Sequence, residues 1–127
     1  MPENEIAREI VGASYKIHCA LGPGLLESVY ETILARELAE RSLNVTRQQP
    51  VPIVYDGIRI EIGFRADLVV EDLVVVEIKS VEHILPVHKK QLLTYIRLMD
   101  RRLGLLINFG AALIRDGITR MVNRLEE

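Results

Sequence analysis

Apolar residues recur at spacings of three and four in the first third of the chain, which is typical of helices that each bury one face. In the first helix, which begins near Ile6, the recurring positions are Ile10, Ala13, Ile17 and Leu21. Gly22-Pro23-Gly24 is predicted to end it, because glycine and proline stop helices. This tripeptide is not a phosphate-binding loop, because it is too short and lacks the lysine of such loops.

A second helix is predicted from about residue 25 to residue 41. Its apolar face contains Leu26, Val29, Ile33 and Leu38. Glu27, Glu31 and Arg36 fall largely off that face. The first third of the chain is therefore predicted to be a helical hairpin.

After Asn44 the apolar residues alternate with polar ones, which indicates β-strands. Asp56-Gly57 is a strong signal for a two-residue hairpin loop between the first two strands. The loop predicts three pairs on one apolar side, Tyr55 with Ile58, Ile53 with Ile60 and Val51 with Ile62. Even positions from Ile58 to Val70 stay apolar, a run longer than a typical strand of about 5 to 6 residues. A bend or bulge is therefore predicted near Gly63.

Residues 73–78 are apolar enough to form a central strand, and residues 104–108 a further one. Between them a helix is predicted over residues 87–101, with Leu92, Ile96, Met99 and Leu103 along one stripe. Short strands are suggested at residues 113–115 and 118–122. The predicted fold class is α/β or α+β, a mixed sheet of about four or five strands flanked by helices.

Composition narrows the class of protein. A chain of 127 residues with 49% apolar and 27% charged residues suits one soluble domain spanning residues 1–127. The net charge of −2 excludes a global basic field, so any contact with phosphates must be local. Without an apolar run of about 18 residues or a signal peptide, we expect a cytoplasmic protein with no membrane partner.

The cysteine and histidine content argues against a thiolate or zinc site. Cys19 is the only cysteine and is expected to be a small core residue in a reducing compartment. His18, His83 and His88 lack the close spacing of zinc ligands. His88 is expected either to support the start of a helix or to support a nearby site from behind, rather than to be catalytic. A third hypothesis, an enzyme that acts on a small molecule at the helical pair, is supported only by Cys19 and Tyr30.

The stretch from Val74 to Ser80 is a buried strand that ends in charge. Strand period places Glu77 and Lys79 on the face opposite to Ile78. If Leu68 and Val76 share the core side, Asp67 lies beside Glu77 and Arg65 beside Lys79, which requires a three-residue loop or a bulge. Directly opposed like charges destabilise an antiparallel pair.

Two interpretations of these charges remain open from spacing alone. A divalent cation between the opposed carboxylates would make them favourable, since Mg²⁺ takes one or two carboxylates together with water and phosphate oxygens. A lysine beside the ion can orient water or stabilise charge on a phosphate. Alternatively, the four residues form a salt-bridge ladder on a solvated face, in which each pair contributes about 0 to 1 kcal/mol.

Asp67 followed ten residues later by Glu77-Ile78-Lys79 resembles the core of the PD-(D/E)XK nuclease superfamily, with Ala66 where proline is often found. Gly24-Leu25-Leu26-Glu27-Ser28-Val29-Tyr30 matches the motif of the GxxExxY family of small prokaryotic proteins. Further similar segments are Gly63-Phe64-Arg65-Ala66-Asp67-Leu68-Val69-Val70, Pro86-Val87-His88 and Leu105-Leu106-Ile107-Asn108-Phe109-Gly110. The resemblance implies a restriction-endonuclease-like core.

The resemblance also implies site roles. Asp67 and Glu77 match the metal-binding carboxylates, the carbonyl of Ile78 completes the inner shell, and Lys79 matches the catalytic lysine. Glu27 matches a helix carboxylate that reaches the metal or its water. Its alternative role is that of a solvated glutamate.

Gln91 and Tyr95 look like the QxxxY motif of exonuclease-like branches of the superfamily, and a spacing of four stacks them on one side of a helix. There Gln91 would support catalysis and both would touch substrate. A tyrosine at the edge of the core is the competing interpretation. Phosphate contacts are expected from Arg65 and Lys90, with Lys89, Arg97, Arg101 and Arg102 as further candidates; a solvated charged face is the alternative.

The implied function is Mg²⁺-dependent hydrolysis of phosphodiester bonds, with Mn²⁺ as an alternative ion and DNA favoured over RNA. The competing hypothesis is a catalytically weak or inactive nuclease-fold module that binds nucleic acid or protein. The acidic balance and small size support it, since they leave little surface for gripping a duplex. Homodimerisation is left open.

Overall fold

The computed structural model describes residues 2–125 and contains one mixed sheet with three α-helices. The elements are α1 (Pro2–Leu21), α2 (Glu27–Glu40), β1 (Val45–Tyr55), β2 (Ile58–Val70), β3 (Val74–Lys79), α3 (Pro86–Leu98), β4 (Leu103–Asn108), a 3₁₀ helix (Ile114–Gly117) and β5 (Ile118–Val122). The strand order is β1-β2-β3-β4-β5. Only the β3–β4 pair is parallel among the described strands, and α3 connects it. The predicted fold class is therefore confirmed.

Helices cover both faces of the sheet, which explains why β3 and β4 are almost uninterrupted apolar runs. On one face α1 and α2 pack against the strands. The helices contribute Ile10, Leu34 and Leu38 to this core, and the strands contribute Leu68, Val76 and Leu105. On the other face α3 packs through Leu92 and Ile96 against Val69, Val75 and Leu106. Full burial of one such side chain contributes about 1.5 to 3 kcal/mol. No helix within residues 2–125 is long and apolar enough to cross a membrane.

The predicted buried face of α2 is confirmed only in part, because Leu38 is buried and Ile33 packs partly buried against the core, whereas Leu26 and Val29 do not. The helix begins only at Glu27, so Leu26 precedes it and is 73% exposed, while Val29 is also exposed. The face that packs inward is set by Tyr30, Leu34 and Leu38, spaced by four residues. On α1, Ile10, Ala13 and Ile17 are buried as predicted, but Leu21, the last residue of the helix, is exposed. Cys19 is also exposed, because it points away from the buried face.

The hairpin of β1 and β2 was predicted correctly near its loop. Tyr55 pairs with Ile58 and Ile53 with Ile60, but Val51 pairs with Phe64 instead of Ile62. Three residues of β2 oppose a single residue of β1 between these pairs, which is the bulge predicted near Gly63. A side chain at Gly63 would overlap with that of Ile53. The helices do not cover this end of the hairpin, so Ile58, Ile60 and Ile62 are at least half exposed.

Two boundaries near the C-terminus also differ from the prediction. α3 ends at Leu98, because the main chain turns at Asp100 with a φ of 55° and Arg101 N donates to Ile96 O at 2.8 Å. Leu103 is therefore the first residue of β4 and not part of the helix. The strand suggested at residues 113–115 is replaced by the start of a 3₁₀ helix, whereas the strand at 118–122 is confirmed.

Candidate active site

The antiparallel ladder between β2 and β3 ends just before the candidate site. Val70 pairs with Val74 across a three-residue loop, as predicted, and the last pair in the ladder is Leu68 with Val76. Asp67 and Glu77 are next in register. The ladder does not continue to Arg65 and Lys79, so their predicted pairing does not form in the described strands.

Asp67 and Glu77 replace the missing ladder bonds with side-chain bonds. Asp67 N donates to Glu77 Oε1 at 3.1 Å, and Ile78 N donates to Asp67 Oδ2 at 2.9 Å. Each carboxylate thus occupies the place that a main-chain carbonyl holds in a regular ladder. The bonds fix both carboxylates at one point in the sheet. The other two oxygens, Asp67 Oδ1 and Glu77 Oε2, take no part in these two bonds.

The site also lies where β2 changes face. Residues two apart in a strand normally share a face, yet Ala66 packs beneath α3 and Leu68 packs beneath α1 and α2. The predicted common face for the even positions of β2 is therefore wrong at Asp67. Because the strand turns here, the Asp67 carboxylate reaches into the plane of the sheet, where Ile78 N lies.

The environment of Glu77 favours its protonated form. The residue is 8% exposed. Burial, followed by the negative charge of Asp67, raises the pKa of Glu77 to about 8, although the positive charge of Lys79 acts in the opposite direction. A carboxyl with such a pKa gains strongly from a neighbouring cation, since the cation compensates for the lost hydration.

Two further groups of β3 face this point. Main-chain N–H and C=O groups of one strand residue point to the same side, so the Ile78 carbonyl faces β2, like the Ile78 N–H that binds Asp67. Lys79 follows on the same strand face as Glu77 and is partly exposed. Its own carbonyl binds Phe109 N on the β4 side at 2.9 Å.

Tyr30 fixes the turn that positions Glu27. Its hydroxyl donates to Gly22 O at 2.5 Å and accepts from Leu25 N at 3.2 Å, and its buried ring stacks on Phe109 with centroids 4.4 Å apart. Glu27 is the exposed first residue of α2, and its Oε2 accepts from Ser80 N at 3.2 Å. The turn therefore brings Glu27 to the main chain that follows Lys79.

Asn108 and Gly110 fix the same segment from the β4 side, and the sequence interpretation assigned them no role. Asn108 is 2% exposed, and its side chain bonds to both the N–H and the C=O of Val81, at 3.0 and 2.9 Å. A Cβ at Gly110 would overlap with the main chain of Val81. The sequence signal that could have indicated this role is an asparagine at the end of an apolar strand, followed by Phe-Gly.

Helix α3 presents Tyr95 and Gln91 to the site from the opposite face of the sheet. The Tyr95 ring stacks on Phe64 with centroids 3.9 Å apart. Burial and the negative charges of Glu77 and Asp67 raise the pKa of Tyr95, while a side-chain hydrogen bond from Gln91 acts against them. Tyr95 is thus both a residue at the edge of the core and electrostatically coupled to the site.

Glu31 was predicted to lie off the apolar face of α2, yet it is only 7% exposed. Arg47 forms an ion pair with it, from Nη2 to Oε2, at 3.0 Å. Gln48 Nε2 donates to Glu31 Oε1 and also to Asp67 Oδ1, at 2.5 and 3.2 Å. Sequence reasoning missed Gln48 because nothing in its neighbourhood distinguishes it from a surface strand residue.

The other residues predicted to contact substrate differ in their surroundings. Arg65 is exposed, and its Nη1 donates to Gln48 O at 3.4 Å. Lys90 is exposed on α3. Arg101, in contrast, forms an ion pair with Asp72 at 2.8 Å. His88 Nδ1 accepts from Leu85 N at the start of α3, which confirms its predicted helix-start role.

The donor set at this point suits a hard divalent cation. Within residues 2–125, no three His, Cys, Asp or Glu side chains form a ready-made metal site. Two carboxylates and a carbonyl nevertheless match the oxygen ligands of Mg²⁺, which keeps several waters. A pocket of about 420 Å³, lined by Glu27, Ser28, Glu31, Gln48 and Asp67, opens the Asp67 side of this point to solvent.

The matching family model is that of the PD-(D/E)XK nuclease superfamily, and it covers residues 4–121. No curated protein and no solved structure matches the chain significantly. The nucleases of this superfamily generally depend on a divalent metal ion. With nearly the whole chain matched and a mixed sheet that holds an Asp and a Glu-x-Lys on adjoining strands, this protein belongs to the PD-(D/E)XK nuclease superfamily.

Proposed function

We propose that this protein is a Mg²⁺-dependent nuclease that hydrolyses phosphodiester bonds, with DNA as the preferred substrate and Mn²⁺ as an alternative ion. The observation that carries the proposal is the pair of bonds by which Asp67 and Glu77 each accept a main-chain N–H of the other strand. A salt-bridge ladder does not account for two acidic side chains held together at a buried position. Cation binding does.

The proposed metal ligands are Asp67, Glu77 and the carbonyl of Ile78, with Glu27 as an outer ligand acting through water. A divalent cation bound there would lower the pKa of a water molecule and offset the charge of the phosphate. Glu77 is set up to exchange its proton for the cation, because burial beside Asp67 already disfavours an uncompensated charge. Glu27 lines the same pocket as Asp67, which supports its assignment.

Lys79 is the proposed catalytic residue. It shares the face of Glu77 on a central strand, and its positive charge acts against the raised pKa of Glu77, which supports a position of the ammonium group near the carboxylates. There it would donate a hydrogen bond to the attacking water or to a phosphate oxygen as negative charge develops. Glu27 and Asn108 hold the segment that follows Lys79 at two points, Ser80 and Val81.

Substrate contacts are proposed for Arg65 on β2 and for Lys90, Gln91 and Tyr95 on α3. We also propose membership of the GxxExxY family. The contacts of its three named positions support this: Gly24 adopts a φ of 107°, Glu27 binds Ser80 N, and Tyr30 fixes the turn between them. The preference for DNA rests on the sequence resemblance.

A cleavage assay tests the proposal. Labelled single- and double-stranded DNA and the matching RNAs are incubated with the protein in Mg²⁺, in Mn²⁺ and in excess chelator. We expect metal-dependent cleavage of DNA, faster than that of RNA, and its loss in Asp67→Asn. Asp56→Asn is the matched control, since Asp56 is exposed in the loop between β1 and β2.

Two results would contradict the proposal. Cleavage that survives Asp67→Asn would point to a contaminating nuclease. A folded protein that binds DNA or a protein without cutting any substrate would favour the alternative, a nuclease-fold binding module. Size-exclusion chromatography of the same samples would show whether a dimer is the active species.

A further inference from the structure

Gln48 lies opposite Asp67 at a break in the β1–β2 ladder. The pairs on either side are Arg47 with Leu68 and Gln49 with Ala66, while the ladder omits Gln48 and Asp67. Gln48 has a φ of 50°, in the left-handed region that residues with a Cβ rarely adopt. Such a conformation persists only where the surrounding structure imposes it, and it is often found at functional sites.

The side chain of Gln48 connects two acids. Its Nε2 donates to Asp67 Oδ1 at 3.2 Å and to Glu31 Oε1 at 2.5 Å. A primary amide carries two hydrogens on this nitrogen, so it can serve both carboxylates. Because Ile78 N donates to Asp67 Oδ2, each oxygen of Asp67 has one donor, and the plane of the carboxylate is fixed.

Glu31, the acid bound by Gln48 on α2, is itself held in place. Glu31 is buried on α2 and forms an ion pair with Arg47. The Arg47 Nη2 also donates to Thr32 Oγ1 at 2.9 Å, which holds the guanidinium against α2. The position of Asp67 therefore depends on α2 through Gln48, in addition to its bond with β3.

We infer that Gln48 is a positioning residue for the divalent cation, an inference that rests on the proposed function. Gln48 keeps Asp67 and Glu31 apart and aims the remaining lone pairs of Asp67 at the metal position. Without this amide the two carboxylates would face each other in one pocket. Outer-shell partners of this kind typically change metal affinity by about 10- to 100-fold when removed.

Titration calorimetry with Mg²⁺ alone tests this role without any substrate. Gln48→Met keeps the length of the side chain but removes both hydrogen bonds, and we expect its dissociation constant for Mg²⁺ to rise about 10-fold or more. Gln49→Met is the control, because Gln49 pairs with Ala66 on the face beneath α3. It should bind Mg²⁺ like the wild type.

Gln48→Gly separates positioning from folding. Glycine tolerates a positive φ, so the metal-free variant should melt at or above the temperature of Gln48→Met, yet bind Mg²⁺ as weakly. A merely structural role for Gln48 predicts that metal affinity recovers together with stability. That recovery would overturn the inference.

The connection to Glu31 is tested by a double-mutant cycle. Glu31→Gln should change Mg²⁺ affinity in the wild-type background and have a smaller effect in Gln48→Met. Equal effects in both backgrounds, or wild-type affinity in Gln48→Met, would overturn the positioning role and leave the proposed function intact. A wild-type protein that binds neither Mg²⁺ nor Mn²⁺ would overturn both.

Discussion

Asp67 and Glu77 are bound to each other's strands by two hydrogen bonds. The main-chain N–H of Asp67 donates to Glu77 Oε1 at 3.1 Å, and Asp67 Oδ2 accepts from the N–H of Ile78, the residue after Glu77, at 2.9 Å. The arrangement holds two acidic groups together at a place where one of them is buried. Its consequences for proton and metal binding can be measured separately from catalysis.

The metal-free protein should lose stability as the pH rises from about 4.5 to about 8. Within this window folded Glu77, whose pKa is about 8, keeps a proton that the unfolded chain has released, so ionisation favours unfolding. The effect is of the order of a few kcal/mol, since one pKa unit corresponds to about 1.4 kcal/mol. Urea unfolding across this range, with chelator present, measures it.

Glu77→Gln should flatten this part of the pH profile, because glutamine cannot titrate but can still accept from Asp67 N. Glu61→Gln is the matched control, since Glu61 is exposed on β2. A Glu77→Gln profile as steep as that of the wild type would show that Glu77 is not the group responsible.

Mg²⁺ should bind more tightly as the pH rises towards about 8, because Glu77 must lose its proton to bind a cation. The apparent affinity should rise by up to about tenfold per pH unit below that value and level off above it. Calorimetry at several pH values measures the affinity, and buffers of different ionisation enthalpy report the released proton. Affinity that does not change with pH would place the ion away from Glu77.

Tyr30→Phe should weaken the turn before α2. The substitution removes the hydroxyl that binds Gly22 O and Leu25 N, and the free energy of unfolding should fall by about 1 kcal/mol. Because the turn positions Glu27, cleavage should also slow. Tyr55→Phe is the control, since Tyr55 is 76% exposed at the hairpin loop. Equal stability of the two variants would argue against the anchoring role of Tyr30.

Asn108→Leu should destabilise the protein by about 2 to 4 kcal/mol, because it removes the buried amide and leaves the partly buried N–H and C=O of Val81 without their partners. The segment after Lys79 would lose its connection to β4. Urea unfolding measures the loss, and Asn44→Leu at an exposed position serves as the comparison. Wild-type stability in Asn108→Leu would contradict this account of the segment.

Sequence patterns predicted the β2–β3 pairing well because both strands are constrained by burial. Leu68 and Val76 had to share a core side, and that condition predicted Asp67 and Glu77 as neighbours and either a three-residue loop or a bulge, of which the loop is observed. The PD-(D/E)XK motif pointed to the same two acids by resemblance. The hairpin register was predictable only as far as the bulge beside Gly63.

The environment of Glu31 could not be predicted in this way. Helical periodicity placed it off the apolar face of α2, yet Arg47 of the following strand makes its burial tolerable. The Gln48 contact likewise depends on a positive φ and on a change of face in β2, neither of which leaves a periodic trace in the sequence. Contacts of this kind depend on the tertiary structure and cannot be predicted from local sequence patterns.

The most direct test of the central claim is single-turnover cleavage of labelled DNA in Mg²⁺ by the wild type and by Lys79→Ala, purified in parallel. The account predicts that Lys79→Ala still binds Mg²⁺ but cuts about 10²- to 10³-fold more slowly, as expected when a group that stabilises transition-state charge is removed. Lys16→Ala, on the exposed surface of α1, should cut like the wild type. Cleavage by Lys79→Ala at the wild-type rate would contradict the claim.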